Sequence, residues 1–78
     1  MPTVLVLGPY RFFFYSNEYG EPTHIHVLRD AAVAKFWLNP VALARSRGFA
    51  APELSTLHRL VAEHRTTFEE AWNEYFGG

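Results

Sequence analysis

The sequence predicts an α+β domain: a small antiparallel sheet of about four strands, a short helix, and one long C-terminal helix packed on one face of the sheet. Three observations carry that expectation. Short apolar and aromatic runs in the first half are bounded by turn residues, as strands are. An Asn-Pro pair then changes the pattern. After it, apolar residues recur at steps of three and four, the period of a helix with one buried face.

The strands follow in order. "TVLVL" is the first, ended by Gly8-Pro9, and "YRFFFYS" is the second, an aromatic run between breakers, so a short antiparallel hairpin joins them. "NEYGEP" supplies loop chemistry through Asn17, Gly20 and Pro22, and "THIHVLR" is the third strand. Asp30-Ala31 is a tight turn into "AVAKFWL", the fourth. A meander is the simplest arrangement, because sequential strands usually neighbour one another.

Asn39 is a preferred N-cap residue, Pro40 suits the first helical position, and Gly48 lies where a helix end takes a left-handed residue, so "PVALARSR" is expected to form the short helix. Pro52 opens the long one. Leu54, Leu57, Val61, His64, Phe68, Ala71 and Tyr75 form its apolar stripe, widened by Leu60, Trp72 and Phe76, while Arg59, Glu63, Glu69, Glu70 and Asn73 fall elsewhere. The stripe implies a helix of roughly 24 residues, about 36 Å long. Thr66-Thr67 is its weak point, since β-branched residues lower helix propensity.

At 78 residues, with 49% hydrophobic content, residues 1–78 are one small domain. A chain near this size buries only about 60% of its unfolded surface, so a partner or a second copy of the chain would add needed stability. The absence of cysteine excludes disulfides and thiolate zinc sites. The apolar N-terminal run is about seven residues before Gly8, too short to span a bilayer and without the basic flank of a signal peptide, so a cytoplasmic protein with no membrane partner is expected. The net charge of −1 conceals an asymmetry: residues 1–48 carry +2 and residues 49–78 carry −3. That permits a weakly basic sheet face opposite an acidic helix, well below the charge that announces nucleic-acid binding.

Strand alternation places the chemistry. If Ile25 and Val27 face the helix, His24 and His26 share the opposite face. The matching choice buries Ala34, Phe36 and Leu38 and leaves Val33, Lys35 and Trp37 beside the histidines; burying Phe12 and Phe14 leaves Arg11, Phe13 and Tyr15 there. Three functional readings compete for that face. His24 and His26, roughly 7 Å apart along the strand, bind a divalent metal together with a loop carboxylate such as Glu18 or Glu21. Alternatively, His24 or His26 is catalytic, a general acid or base, with Arg11 or Lys35 stabilising a phosphoryl transition state as a ribonuclease requires. In the third, the face only binds: Tyr15 and Trp37 stack on bases or pack on a partner, while Arg11 and Lys35 meet phosphates or carboxylates. Against all three stands a structural reading, with both histidines half-buried and satisfied by neighbours or by a homodimer interface. His64 reads as a core residue with one hydrogen-bond partner and His58 as a boundary residue. No phosphate loop, dinucleotide fingerprint or cysteine nucleophile is present.

"MPTVL", "YRFFFYSNE", "EPTHIHV", "AKFWLNPV", "GFAAPEL" and "EAWNEYF" together resemble, over nearly the whole chain, the small prokaryotic family catalogued as domain of unknown function 4160. That family typically reads Pro-Pro-His-Ile-His, where this chain has Pro22-Thr23-His24-Ile25-His26. The resemblance implies a toxin–antitoxin-like protein with an RNA or translation target and a cognate antitoxin-like partner. It assigns no catalytic residue and does not decide whether the protein is an enzyme; a metal-dependent or histidine-based hydrolase and a purely structural interaction domain remain the alternatives to binding.

Overall fold

The structure is a computed structural model, which describes residues 3–18 and 20–77. Tyr19, within the expected loop, and the residues at the two chain ends lie outside the described set. Five strands form one antiparallel sheet in the order of the chain: β1 (Thr3–Leu7), β2 (Tyr10–Phe13), β3 (His24–Arg29), β4 (Ala32–Leu38) and β5 (Val41–Arg47). Two helices follow, α1 (Ala51–Glu63) and α2 (Arg65–Phe76).

The α+β class, the meander and the first four strands agree with the sequence. The short helix does not: "VALARSR" is β5, and the sheet has five strands rather than four. Leu38 pairs with Val41, so Asn39-Pro40 is the two-residue turn of a hairpin and not the start of a helix. Gly48 does take a left-handed conformation, with φ of 91°, but it ends a strand. A Cβ there would lie 3.1 Å from the Ala32 Cα and Cβ, so glycine also permits a close backbone approach.

The long helix is likewise divided, and the division falls at His64 rather than at Thr66-Thr67. The Leu60 carbonyl accepts both the His64 backbone N–H, at 3.1 Å, and the His64 Nδ1–H, at 3.0 Å. This local side-chain bond competes with regular helix geometry. The apolar stripe keeps its spacing across the break, with Leu57 and Val61 buried in α1 and Phe68 and Trp72 in α2, but its last member, Tyr75, is exposed.

Both helices cover the same side of the sheet. The core joins Phe12, Phe14, Ile25, Val27, Ala34, Phe36 and Leu38 to Leu57, Val61, Phe68 and Trp72. Phe12 stacks on Phe68 with ring centroids 5.2 Å apart, a contact that carries large buried aromatic area. The start of α1 is tied to the sheet by Glu53, which accepts from Arg29 Nε and Nη2 at 2.7 and 2.9 Å and from the Tyr10 hydroxyl at 2.6 Å. A carboxylate in the first helical turn also suits the helix dipole. Among the described residues, no helix is long and apolar enough to cross a membrane.

Candidate functional site

The other side of the sheet carries the residues that alternation assigned to it. Phe13 pairs with His26 and His26 with Lys35; His24 pairs with Trp37, and Lys35 with Arg45. Residues directly opposite on neighbouring strands share a face. This face is not open to water, however: His24 is 0% exposed, His26 7% and Lys35 6%.

The connection between β2 and β3 lies beside it. Two turns shape the connection, with the Glu18 N–H donating to the Tyr15 carbonyl at 3.3 Å and the Glu21 N–H to the Glu18 carbonyl at 3.1 Å. The Tyr15 N–H in return donates to Glu18 Oε1 at 2.8 Å. These local bonds aim the Glu18 carboxylate at the histidines.

Glu18 Oε2 and Oε1 lie 3.0 and 3.1 Å from His26 Nε2, which donates to them. Glu18 Oε1 also lies 3.0 Å from His24 Nε2, but the ring direction does not complete a hydrogen bond, and among the described residues this buried nitrogen has no other partner. On its far side the His24 ring is fixed: Nδ1–H donates to the Pro22 carbonyl at 2.9 Å. A carbonyl can only accept, so Nδ1 carries the proton and, in the neutral ring, Nε2 is a bare lone pair. Burial raises the Glu18 pKa, yet the hydrogen bonds from the Tyr15 N–H and from His26 outweigh it and leave the carboxyl below its ordinary value. Burial lowers the His26 pKa, and this prevails over the stabilising Glu18 charge.

Aromatic rings hold both imidazoles. Phe13 stacks on His26 at 5.3 Å and Tyr15 meets its edge at 4.9 Å, while His24 lies between Trp37, at 5.7 Å, and Trp72 of α2, at 4.8 Å. Glu21, the other carboxylate that sequence put forward as a metal ligand, is instead 2.5 Å from Lys35 Nζ.

Beside this cluster is a cavity of about 330 Å³ on the same face, lined by Phe13, Tyr15, His26, Lys35, Arg45 and Arg47 among others. The structure therefore divides the expected binding set. Tyr15 and Lys35 line the cavity, although the Lys35 ammonium is committed to Glu21 and to the Trp37 ring, 4.6 Å away. Trp37 lines a different cavity with Pro22, Asn39 and Pro40, and Arg11 lies over the Phe13 ring at 5.2 Å.

Arg45 and Arg47 are the residues that sequence reasoning passed over, because it placed them on a helix. Plain alternation would have kept them on the face of Val41 and Leu43, which pair with the core residues Leu38 and Phe36; the register shift between Lys35 and Phe36 is what carries Arg45 and Arg47 to the cavity side, and no sequence signal marked it. Both are exposed, and among the described residues neither has an ion pair. By contrast Arg29, Lys35, Arg59 and Arg65 pair with Glu53, Glu21, Glu63 and Glu69. Of the exposed large apolar side chains, Val6 on β1, Leu43 on β5 and Tyr75 on α2 are not in the cavity lining, whereas Tyr15 is.

A family model described as Domain of unknown function (DUF4160) matches residues 10–73. The chain belongs to this family. The matched span of the DUF4160 model includes Glu18, both histidines and the whole cavity lining. No curated protein and no solved structure matches the chain. Within the matched span, the Thr23 carbonyl accepts the Leu38 N–H at 3.1 Å, a backbone bond that does not depend on the side chain.

Proposed function

We propose that the protein binds single-stranded RNA in the cavity on the histidine face, as a cytosolic member of a toxin–antitoxin-like pair. The observation that carries this reading is a pair of exposed arginines, Arg45 and Arg47, without an ion pair among the described residues, lining one cavity with Phe13 and Tyr15. Guanidinium groups bind phosphate oxygens bidentately, and aromatic rings stack on bases of any sequence. The net negative charge of the chain does not oppose this, because the acidic excess lies in residues 49–78.

The test is the affinity of a fluorescent single-stranded RNA measured against salt. Arg45→Ala and Arg47→Ala are each expected to weaken binding and to lower the slope of log affinity against log salt by about 0.7, the value for one lost phosphate contact. Arg59→Ala, on α1 and paired with Glu63, is expected to change neither. A flat salt response, or equal losses at Arg59, removes the reading.

A second reading, hydrolysis of the bound strand, is favoured by one observation: His26 belongs both to the cavity wall and to the Glu18 cluster. A group shared in this way can meet substrate while a carboxylate orients it. Cleavage of labelled RNA that is lost in His26→Gln supports it, and intact RNA throughout eliminates it.

A further inference from the structure

We propose that Glu18, His24 and His26 form a binding site for one divalent first-row transition-metal ion, with a Glu18 oxygen and the two Nε2 atoms as ligands. The inference rests on this cluster alone and stands whether or not RNA binds in the neighbouring cavity.

Three features of the cluster point to an ion. The first is convergence: the three donor atoms lie within 4.8 Å of one another, and Glu18 Oε1 is 3.0 Å from His24 Nε2 and 3.1 Å from His26 Nε2. Ligand atoms held about 2.0–2.2 Å from a metal lie about 3.0–3.5 Å apart, so loading requires the imidazoles to draw together by somewhat more than about 1 Å, and His26 Nε2 to give up the proton it donates to Glu18, which passes to Nδ1 or to solvent.

The second is the His24 tautomer. Its Nδ1–H is held by the Pro22 carbonyl at 2.9 Å, the outer hydrogen bond that metal-binding histidines characteristically make, and this leaves the Nε2 lone pair for the ion. The third is the unsatisfied state of that nitrogen. His24 is fully buried, and its Nε2 sits 3.0 Å from a carboxylate oxygen without a hydrogen bond to it. Two electron-rich atoms in contact away from water are costly unless a cation lies between them. Hydrogen-bonded atoms aim at each other, whereas fellow ligands sit side by side and aim at a common point.

The donor set selects the class of ion. Two imidazoles and one carboxylate suit Zn, Fe, Co or Mn rather than Ca or Mg, which prefer all-oxygen shells. Three protein ligands leave coordination positions to fill, the arrangement of reactive rather than structural zinc sites. The cavity that His26 lines is the entry path.

The experiment uses the full chain without an affinity tag, stripped with chelator and titrated with cobalt(II). Saturation at one equivalent per chain, with visible absorption bands that zinc(II) abolishes, is the expected result. Glu18→Gln and His26→Gln should each weaken binding at least tenfold, while the His58→Gln/His64→Gln variant retains it. Because the cluster is buried, a variant could fail to fold, so paramagnetic broadening in the NMR spectrum of the unaltered protein supplies an independent readout. Broadening must centre on Glu18, His24 and His26. Broadening centred on His58 or His64, absence of saturable binding, or undiminished binding in folded Glu18→Gln overturns the proposal.

Discussion

The two faces of the sheet are both buried, but by opposite means. The helix-covered face is closed by Phe12, Phe14, Ile25, Val27 and Phe36 against Leu57, Val61, Phe68 and Trp72. On the other face, the residues of comparable burial are Phe13 and the polar His24, His26 and Lys35, kept company by Glu18 and Glu21. Apolar burial is stabilising in proportion to area and tolerates much variation in detail. Buried imidazoles and an ammonium are favourable only with well-placed partners, and a hydrophobic replacement is often neutral or better. The helix face therefore explains why the domain folds, whereas the histidine face asks for a functional explanation.

The largest expected effect comes from opening the helix face. Phe68 is fully buried and stacks on Phe12, so Phe68→Ala removes apolar area and leaves a cavity beneath α2. A loss of about 3–5 kcal/mol in urea denaturation is expected. A loss below about 1 kcal/mol would show that α2 is dispensable to the fold and would invert the contrast between the faces.

A smaller and asymmetric response is expected from the Lys35–Glu21 pair. Glu21→Ala leaves a nearly buried ammonium with only the Trp37 ring for company, while Lys35→Met removes the charge and keeps the volume. The Glu21 side chain is 42% exposed, so water offsets part of the penalty. A cost of about 1–2 kcal/mol for Glu21→Ala, and near zero for Lys35→Met, is the expected order in denaturation. The reverse order would mean that the pair stabilises the fold as an ion pair and that the polar face needs no functional explanation.

The degree to which each face was legible in the sequence follows from its physics. The helix face was readable residue by residue, because alternation in β2, β3 and β4 and the three-four spacing of Leu57, Val61 and Phe68 are direct consequences of strand and helix geometry. Alternation also put His24, His26 and Lys35 together. It could not show that a turn stabilised by the Tyr15 N–H would set Glu18 against both histidines, since that depends on a loop conformation. β5 was misread because every local cue was ambiguous: Asn39-Pro40 opens helices and also closes hairpins, and Ala42 and Ala44 favour helix. Pairing along the free edge of β4 decided the matter, a tertiary preference that overrides local propensity. The break at His64 arises from one side-chain hydrogen bond to a carbonyl, below the resolution of a periodicity argument.

The finest test of the contrast is acid stability of the metal-free protein. Burial holds the His26 pKa below its ordinary value of 6.5, in spite of the neighbouring Glu18 carboxylate. His24, Lys35, Phe13 and Tyr15 complete its surroundings, so no second carboxylate compensates. The unfolded chain therefore takes up a proton at His26 before the folded chain does, and stability must fall as pH drops through 6.5 toward the depressed folded value. Glu18 acts in the same direction but in a lower window. Its lowered pKa contributes stability above the unfolded value of 4.5 that is lost as pH falls through the folded one. Denaturation midpoints collected in chelator from pH 7.5 down to about 2.5 should thus show two descending regions, the lower one shared with Glu21 and Glu53, whose pKa values are also lowered by their partners. His26→Gln flattens the upper region relative to the unaltered chain, and His58→Gln, exposed on α1, leaves it in place. The helix face contains no carboxylate or imidazole in its apolar cluster, so Phe68→Ala should displace the whole profile downward without changing its shape. A profile whose upper slope survives His26→Gln would place the buried titration elsewhere, and the polar face would lose its distinction from the rest of the surface.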